Sequence, residues 1–386
     1  MQSTLHRWFG VGQSSAADSR KAGAEAASEA IGGRETKAVF VFASVAHDLP
    51  ALLRGVRMEA GPDAEIVGAS TMGELGSSGT TDGGVAVAAL GGDGFTVQTR
   101  AARVHKSDPR AAGVLAAEAL HGLDDEHKVL VLLVDGLVGQ QHEIVRGAYS
   151  SIGASVPLVG GFAADDRQFR QTYQFIGDEV VTGAVVGLAL GSDGPIGIGV
   201  AHGWRRQEPP MVVTKASGPH IYQLDGEPAL DVLMRRNEVD GTADDLFNQG
   251  RTLRPLGLSR RSGEDIRVIH AGDDAERSIW GTADVPQGAL VWLMEGDRQS
   301  MLDGAAWSCT EAIARLDGLP PLGVIAFDCG GRWAGLVEGG LDQEIQAMRT
   351  ALSDAPFAGF YTMGEIARVR GSLGTHALTL VTLALA

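Results

Sequence analysis

Carboxylates at the tips of glycine turns are the groups of this chain best placed to do chemistry. Thr71-Met72-Gly73-Glu74-Leu75 follows the apolar run 65–70, and Thr362-Met363-Gly364-Glu365-Ile366 repeats it after 356–361. A third version, Val156-Pro157-Leu158-Val159-Gly160-Gly161-Phe162, leads into Ala163-Ala164-Asp165-Asp166, so the acid is expected to persist there as aspartate. Each reads as a buried strand ending in a tight glycine turn. A carboxylate held at such a tip can bind an ammonium group, ligate a metal or act as a general acid or base. It can equally cap a helix or loop by accepting backbone N–H bonds. Glu74, Glu365, Asp165 and Asp166, with Thr71 and Thr362 in the same turns, form the candidate ligand-binding set.

His202 and Trp204, in Ala201-His202-Gly203-Trp204, complete that set. Histidine is a common haem ligand, and a hydrogen-bonded structural histidine is the alternative. His47, His142, His270 and His376 are weaker candidates of the same kind. No His/Cys pair has zinc-site spacing, and no CxxCH run attaches a haem covalently. Arg251, Arg254, Arg260, Arg261 and Arg267 outnumber Glu264 and Asp265 in one stretch. It reads as a solvated basic loop or as a site for an anionic group. Gly10-Val11-Gly12 lacks the third glycine of a dinucleotide fingerprint, and neither a Walker lysine motif nor a GxSxG elbow is present. A binding protein without catalytic residues is therefore expected, not an enzyme.

The elements that must position these turns recur. Strands are expected at 39–42, 129–134 and 324–327. Each is followed by an amphipathic helix: Leu49, Leu52, Leu53 and Val56; Ile144, Ala148 and Ile152; Leu341, Ile345, Met348 and Leu352. Their spacing makes one apolar face. After each turn comes another strand, at 85–90, 184–190 and 378–383. Before the sets lie a further strand and helix at 7–12 with 16–31, a strand at 95–104 with a helix begun by Asp108-Pro109, and a third such helix at 299–316. Repetition at this scale means duplicated units. The expected fold is α/β or mixed α+β: two halves, 1–194 and 195–386, each of two β-α-β-α-β-β units, with mixed sheets and helices outside. The unit at 195–298 is the divergent one, with Pro255-Leu256-Gly257-Leu258 in place of the glycine turn.

The chain has 386 residues, 44% hydrophobic and 21% charged, the composition of an ordinary folded protein. No apolar run approaches the roughly 20 residues that span a bilayer, and the first residues lack a signal-peptide core. A cytoplasmic protein is expected, with Cys309 and Cys329 as reduced packing residues. A formal net charge of −16 disfavours nucleic acid and anionic membranes as partners.

These residues resemble a known family. Val67-Gly68-Ala69-Ser70-Thr71-Met72-Gly73-Glu74 is similar to the signature of the FIST N domain, and Gly160-Gly161-Phe162-Ala163-Ala164-Asp165-Asp166 to its second motif. Ala201-His202-Gly203-Trp204 resembles its His-Gly-Trp element. Residues 221–230 resemble the junction into the FIST C domain, and Gly364-Glu365-Ile366 its closing signature. The resemblance implies a bacterial sensory module in signal transduction that binds small molecules such as amino acids. A haem-binding nitric-oxide sensor is the alternative within the family, and a non-catalytic adaptor the alternative outside it. With no kinase, cyclase or chemoreceptor segment, output is expected through a separate signalling protein. The ligand is expected between the halves, with Glu74 and Glu365 partly buried there and accepting hydrogen bonds.

Overall fold

A computed structural model describes residues 7–247, 255–260, 263–336, 339–368 and 374–386. It has two compact units. One comprises Met1–His202 with Leu302–Ala386, the other Gly203–Met301.

The first unit contains three copies of one motif. The first copy runs through strand Trp8–Ser14, helix Ser19–Ile31, strand Ala38–Ala43, helix Leu49–Ala60, strand Glu65–Ser70, hairpin strands Glu74–Gly76 and Gly79–Thr81, and strand Val85–Gly91. The second runs through Phe95–Arg103, helix Pro109–Ala117, His127–Val134, helix Gln141–Ile152, Leu158–Phe162, hairpin strands Gln174–Ile176 and Glu179–Val181, and Ala184–Ser192. The third begins with strand Ile196–Ala201 and resumes at helix Arg298–Ile313. It continues through Gly323–Cys329, helices Gly330–Leu336 and Gly340–Ala351, Phe357–Thr362, hairpin strands Glu365–Arg368 and Gly374–His376, and Leu380–Leu385.

Local chemistry fixes the ends of these elements. Asp18, Asp48 and Asp108 each accept a backbone N–H from three residues on, as N-caps should. Gly32 ends the first helix in the left-handed conformation, at φ 58°. The central strands are buried along all or most of their length, which accounts for their continuous apolar runs.

Each copy builds a six-stranded mixed sheet in the same order: first strand, last strand, second, third, then a hairpin. The second and third strands are parallel and all other pairs antiparallel. The hairpin always comes from another copy. That of copy one pairs with Phe357–Thr362 of copy three, that of copy two with Glu65–Ser70 of copy one, and that of copy three with Leu158–Phe162 of copy two. The exchange is cyclic and closed.

The shared register explains a glycine common to the three copies. Gly68, Gly160 and Gly359 sit opposite Val41, Leu132 and Ala326, and a Cβ at any of them would lie within 2.0 Å of that residue's carbonyl oxygen. Opposite the same glycines the incoming hairpins place Phe175, Ile366 and Leu75. One face of all three sheets contributes to a common core containing Phe40, Phe42, Val131, Leu133, Ile325, Phe327 and Phe360. Phe42 stacks on Phe360 at 4.8 Å between ring centroids. The other face of each sheet packs on the helices of its own copy. Mixed sheets with helices outside are thus as the sequence indicates.

The number of copies is three, not four, and the compact units do not divide the chain at 194–195. Ile196–Ala201 is the first strand of copy three, and its neighbour in the sheet is Leu380–Leu385. The presumed divergent copy is an inserted unit of another kind. Gly203–Met301 forms an antiparallel sheet in the order Gly263–Arg267, Leu256–Arg260, Leu290–Glu295, Arg205–Ser217, His220–Leu224, Ser278–Gly281, Ile269–Asp273. It has its own core around Leu230, Leu233, Ile221 and Leu293, with helix Ala229–Arg236 packed into it. Its alternating apolar residues read as a repeat because strand–helix–strand order alone does not reveal whether strands pair in parallel.

Candidate functional site

In α/β sheets, ligands bind beyond the carboxyl ends of the parallel strands. Three such ends exist in the first unit, and the glycine turns lie at them. Their fates differ.

In copy one, Ser44 and Thr71 follow the two parallel strands. Glu74 is fully buried and accepts from Thr71 Oγ1 (2.5 Å), Thr81 Oγ1 (2.8 Å) and Gly84 N (3.0 Å). Burial pushes its carboxyl up to about 7 against these bonds. The loop following Phe162 of copy two reaches this place. Asp166 N donates to Thr71 O, and Ser44 Oγ donates to Asp166 Oδ2 at 2.6 Å. Arg167 donates to Met72 O (2.7 Å), pairs with Asp82 (3.0 Å) and lies 4.2 Å over the ring of Trp333 from copy three. Three non-glycine residues of the loop hold positive φ: Asp166 at 51°, Arg167 at 66° and Phe169 at 54°. Strain of this kind persists where the surroundings over-determine it, commonly at binding sites. His47 Nε2 and Asp166 Oδ1 are buried here, the Gly83 backbone acting on the first side chain and the Ala46 backbone on the second. Burial lowers the pKa of His47, opposed by the Asp166 charge and the Gly83 backbone. Burial raises that of Asp166, opposed by the Ser44 hydrogen bond.

In copy three the same place is sealed. Arg332 Nε donates to Asp328 Oδ1 (2.7 Å), Arg332 Nη2 to Glu344 Oε1 (2.5 Å), and Tyr361 Oη to Glu344 Oε2 (3.0 Å). Asp328, Arg332, Glu344 and Tyr361 are wholly buried. Glu365 accepts from Thr362 Oγ1 (2.7 Å) and Thr379 N (3.1 Å), and burial pushes it up to about 8. Burial also raises the thiols of Cys309, to about 12, and of Cys329. Both are free, buried and unreactive in that state.

Copy two has no acid at the matching position. Glu74 pairs with Phe360 and Glu365 with Gly161, and the residue in the same register on Ala69 is Gln174. Its side chain is fully buried and neither amide atom has a partner. Asp165 is instead a loop cap, accepting from Phe169 N, Arg170 N and Gln171 N. Asp135, absent from the sequence-level candidates, takes the Gly183 N–H (2.8 Å) at the end of the neighbouring strand.

The candidate residues therefore separate. Thr71, Glu74 and Asp166 come together. Thr362 and Glu365 lie in copy three's sealed cluster, and Asp165 supports the loop. Both glutamates accept hydrogen bonds as expected. They are fully rather than partly buried, and both belong to the one compact unit. His202 lies in that unit with its carbonyl accepting from Arg332 (3.1 Å). Trp204 belongs to the inserted unit, packed on Gly296. Of the basic stretch, Arg251, Arg254 and Arg261 lie outside the described residues. Arg267 is buried against the Asp284 and Ile266 carbonyls. Among the described residues no His/Cys/Asp/Glu group could hold a metal ion.

The two raised glutamates predict a pH dependence. Between an unfolded value near 4.5 and folded values of about 7 and 8, the folded chain keeps protons that the unfolded chain has released. Their contribution is complete below 4.5 and is lost as pH rises through the folded values. The slope is about 1.4 kcal/mol per pH unit for each group. Urea unfolding from pH 5 to 9 should show this decline, and Glu365→Gln should flatten its upper end. An unaltered profile in that variant would contradict the assignment.

A three-copy α/β ring with acid-bearing strand ends and an inserted antiparallel unit is the architecture in hand, and family comparison gives it a name. The FIST N domain model matches residues 37–227 and the FIST C domain model residues 229–368. The chain belongs to the FIST family. It is similar to uncharacterized protein Rv0628c of Mycobacterium tuberculosis, 28% identical over 96% of this chain and 97% of that one. It is also similar to uncharacterized protein Mb0898c of Mycobacterium bovis, 28% identical over 58% of each chain. Uncharacterized protein MJ1623 of Methanocaldococcus jannaschii is 36% identical over 37% of this chain and 30% of that one. FIST domains are associated with sensory signal transduction.

Proposed function

We propose that this chain is a cytoplasmic sensory module that binds a small polar metabolite, without catalysis, at the strand ends of copy one. A separate signalling protein receives its output. Amino acids and related metabolites are the ligand class the family suggests. The observation that carries the reading is the loop after Phe162, whose Asp166, Arg167 and Phe169 hold left-handed conformations and whose Asp166 and Arg167 bond Thr71, Ser44 and Met72 at the strand ends of copy one. Backbone strain of this kind clusters at ligand clamps and active sites. The acidic net charge and the absence, among the described residues, of a helix long and apolar enough to cross a membrane support a small-molecule partner.

Thermal-shift screening against amino acids, sugars, polyols and amines tests it. A binder at 100 times its dissociation constant should add about 2.7 kcal/mol of stability. That gain should disappear in Asp166→Asn. A broad library that shifts nothing would overturn the reading.

A further inference from the structure

Ser70 of copy one pins both ends of the loop that copy two lays over the strand ends. Its N–H donates to Tyr173 O (2.9 Å) and its carbonyl accepts from Ala164 N (2.9 Å). Its Oγ donates to Ala164 O (2.5 Å) and accepts from Tyr173 N (2.8 Å). The residues between these points, 165–171, are held together from within. The buried Asp165 carboxylate accepts from Phe169 N (2.8 Å), Arg170 N (2.6 Å) and Gln171 N (2.9 Å), and its carbonyl accepts from Gln168 N (3.0 Å). None of these bonds reaches the strand ends beneath. A loop whose ends meet and whose own side chain fills it is a compact body of the Ω type.

Its contact with the strand ends is of another kind. Asp166 N donates to Thr71 O (2.9 Å), Ser44 Oγ donates to Asp166 Oδ2 (2.6 Å), and the Arg167 guanidinium reaches Met72 O and Asp82 and lies over the Trp333 ring. Asp166 and Arg167 hold positive φ, a conformation that persists only while the surroundings enforce it. The Arg167 and Asp82 side chains are 31% and 58% exposed, and an ion pair so placed is a weak fastening. The base is firm, the body is braced from inside, and the outer fastening is weak and strained.

We propose that residues 165–171 form a flap that swings as one body about its Ser70 base, with Arg167 as the latch. Opening breaks the contacts to Ser44, Thr71, Met72 and Asp82 and keeps those within the loop and at its base. It bares the Ser44 hydroxyl and the Thr71 and Met72 carbonyls, where ligands of such sheets bind. Thr71 and Glu74 have no exposed surface while the flap is down, so a ligand for them must enter past it. That gating role rests on the reading of these strand ends as a ligand site; the flap itself does not.

Amide hydrogen exchange of the full chain, resolved residue by residue, tests the flap. The Asp166 amide should exchange faster than the Phe169, Arg170 and Gln171 amides on Asp165 and the Ala164 and Tyr173 amides at the base. Arg167→Met should speed Asp166 exchange about tenfold, the effect of one lost hydrogen bond from a charged group, and leave the others unmoved. Asp82→Asn removes the latch from the other side and should give the same pattern more weakly; it decides the matter if Arg167→Met does not fold. An Asp166 amide that neither substitution accelerates would overturn the flap. So would acceleration of all these amides together, which marks unfolding of the loop in place of a swing. A compound that raises the melting temperature should associate about tenfold faster with Arg167→Met, in proportion to the open population. An unchanged association rate beside an accelerated Asp166 amide would overturn the gate and leave the ligand reading. An empty screen would overturn the ligand reading and leave the flap.

Discussion

A fragment ending at residue 227, the limit of the FIST N match, should not fold. Its hairpin 74–81 would have no strand to join, because its partner is Phe357–Thr362. Its second sheet would lack the hairpin 365–376, leaving the edge of Leu158–Phe162 open. Its third sheet would keep only Ile196–Ala201 and the orphaned hairpin strands, without the three strands that join them. The common core would lose Ile325, Phe327, Phe360 and Leu383. Burying one such side chain is worth roughly 1.5–3 kcal/mol, against a total stability of about 5–15 kcal/mol. Exposed edges and an uncovered core lead to aggregation. The expected outcome is insoluble protein, or a soluble fragment with collapsed amide dispersion in NMR. Co-expression with residues 228–386 should restore a dispersed spectrum. A fragment 1–227 that unfolds cooperatively alone would refute the closed exchange of hairpins.

Arg332→Met should cost about 3–5 kcal/mol, the penalty for removing one partner from a buried ion cluster. Among the described residues Arg332 is the one cation bonded to Asp328 and Glu344, and all three side chains are wholly buried. Asp328 also carries an oxygen, Oδ2, with no hydrogen-bond partner. Burial and the neighbouring carboxylates raise the pKa of Asp328, while the Arg332 charge opposes them. Without the guanidinium the carboxyls can remain only by taking up protons. The loss should therefore be smaller at pH 5 than at pH 8, measured by urea midpoints with an unchanged m-value. Adding Asp328→Asn and Glu344→Gln to Arg332→Met should recover part of it, because neutral amides remove the uncompensated charge. A single-variant loss below about 1 kcal/mol would show that the cluster does not hold the ionised form.

The turn residues were legible in the sequence because Glu74 and Glu365 sit in nearly identical five-residue runs. Their burial and their threonine partners agree with that match. Gln174 was not legible. Eleven residues intervene between Phe162 and Gln174, and an amide replaces the acid, so Asp165 and Asp166 stood in its place by proximity alone. A comparison of Gln174-Phe175 with Glu74-Leu75 and Glu365-Ile366 would have found it. Arg332 and Glu344 were not legible either. Glu344 sits beside Ile345 in the Leu341–Met348 stripe, yet one charge beside an apolar stripe does not reveal a buried partner. The succession of strands and helices along each copy follows from local pattern, while their order in the sheet does not. Nor does the exchange of hairpins, because register with a strand nearly 300 residues away leaves no local trace.

The hairpin exchange has the arithmetic of a cyclic oligomer. Every copy gives one hairpin and receives one, and the third gift returns to the first giver. Heterologous contacts that close in this way form rings, whereas those that fail to close form filaments. Nothing in the pairing requires that the three donors share a peptide backbone. A single copy encoded as a short separate polypeptide would satisfy the same edges as a homotrimer, and tandem duplication would then only tie together what had already assembled. Joining the three in one chain frees each position to diverge. That accounts for one strand end gathering Thr71, Glu74 and Asp166 while its counterpart at Arg332 became a sealed ionic lock.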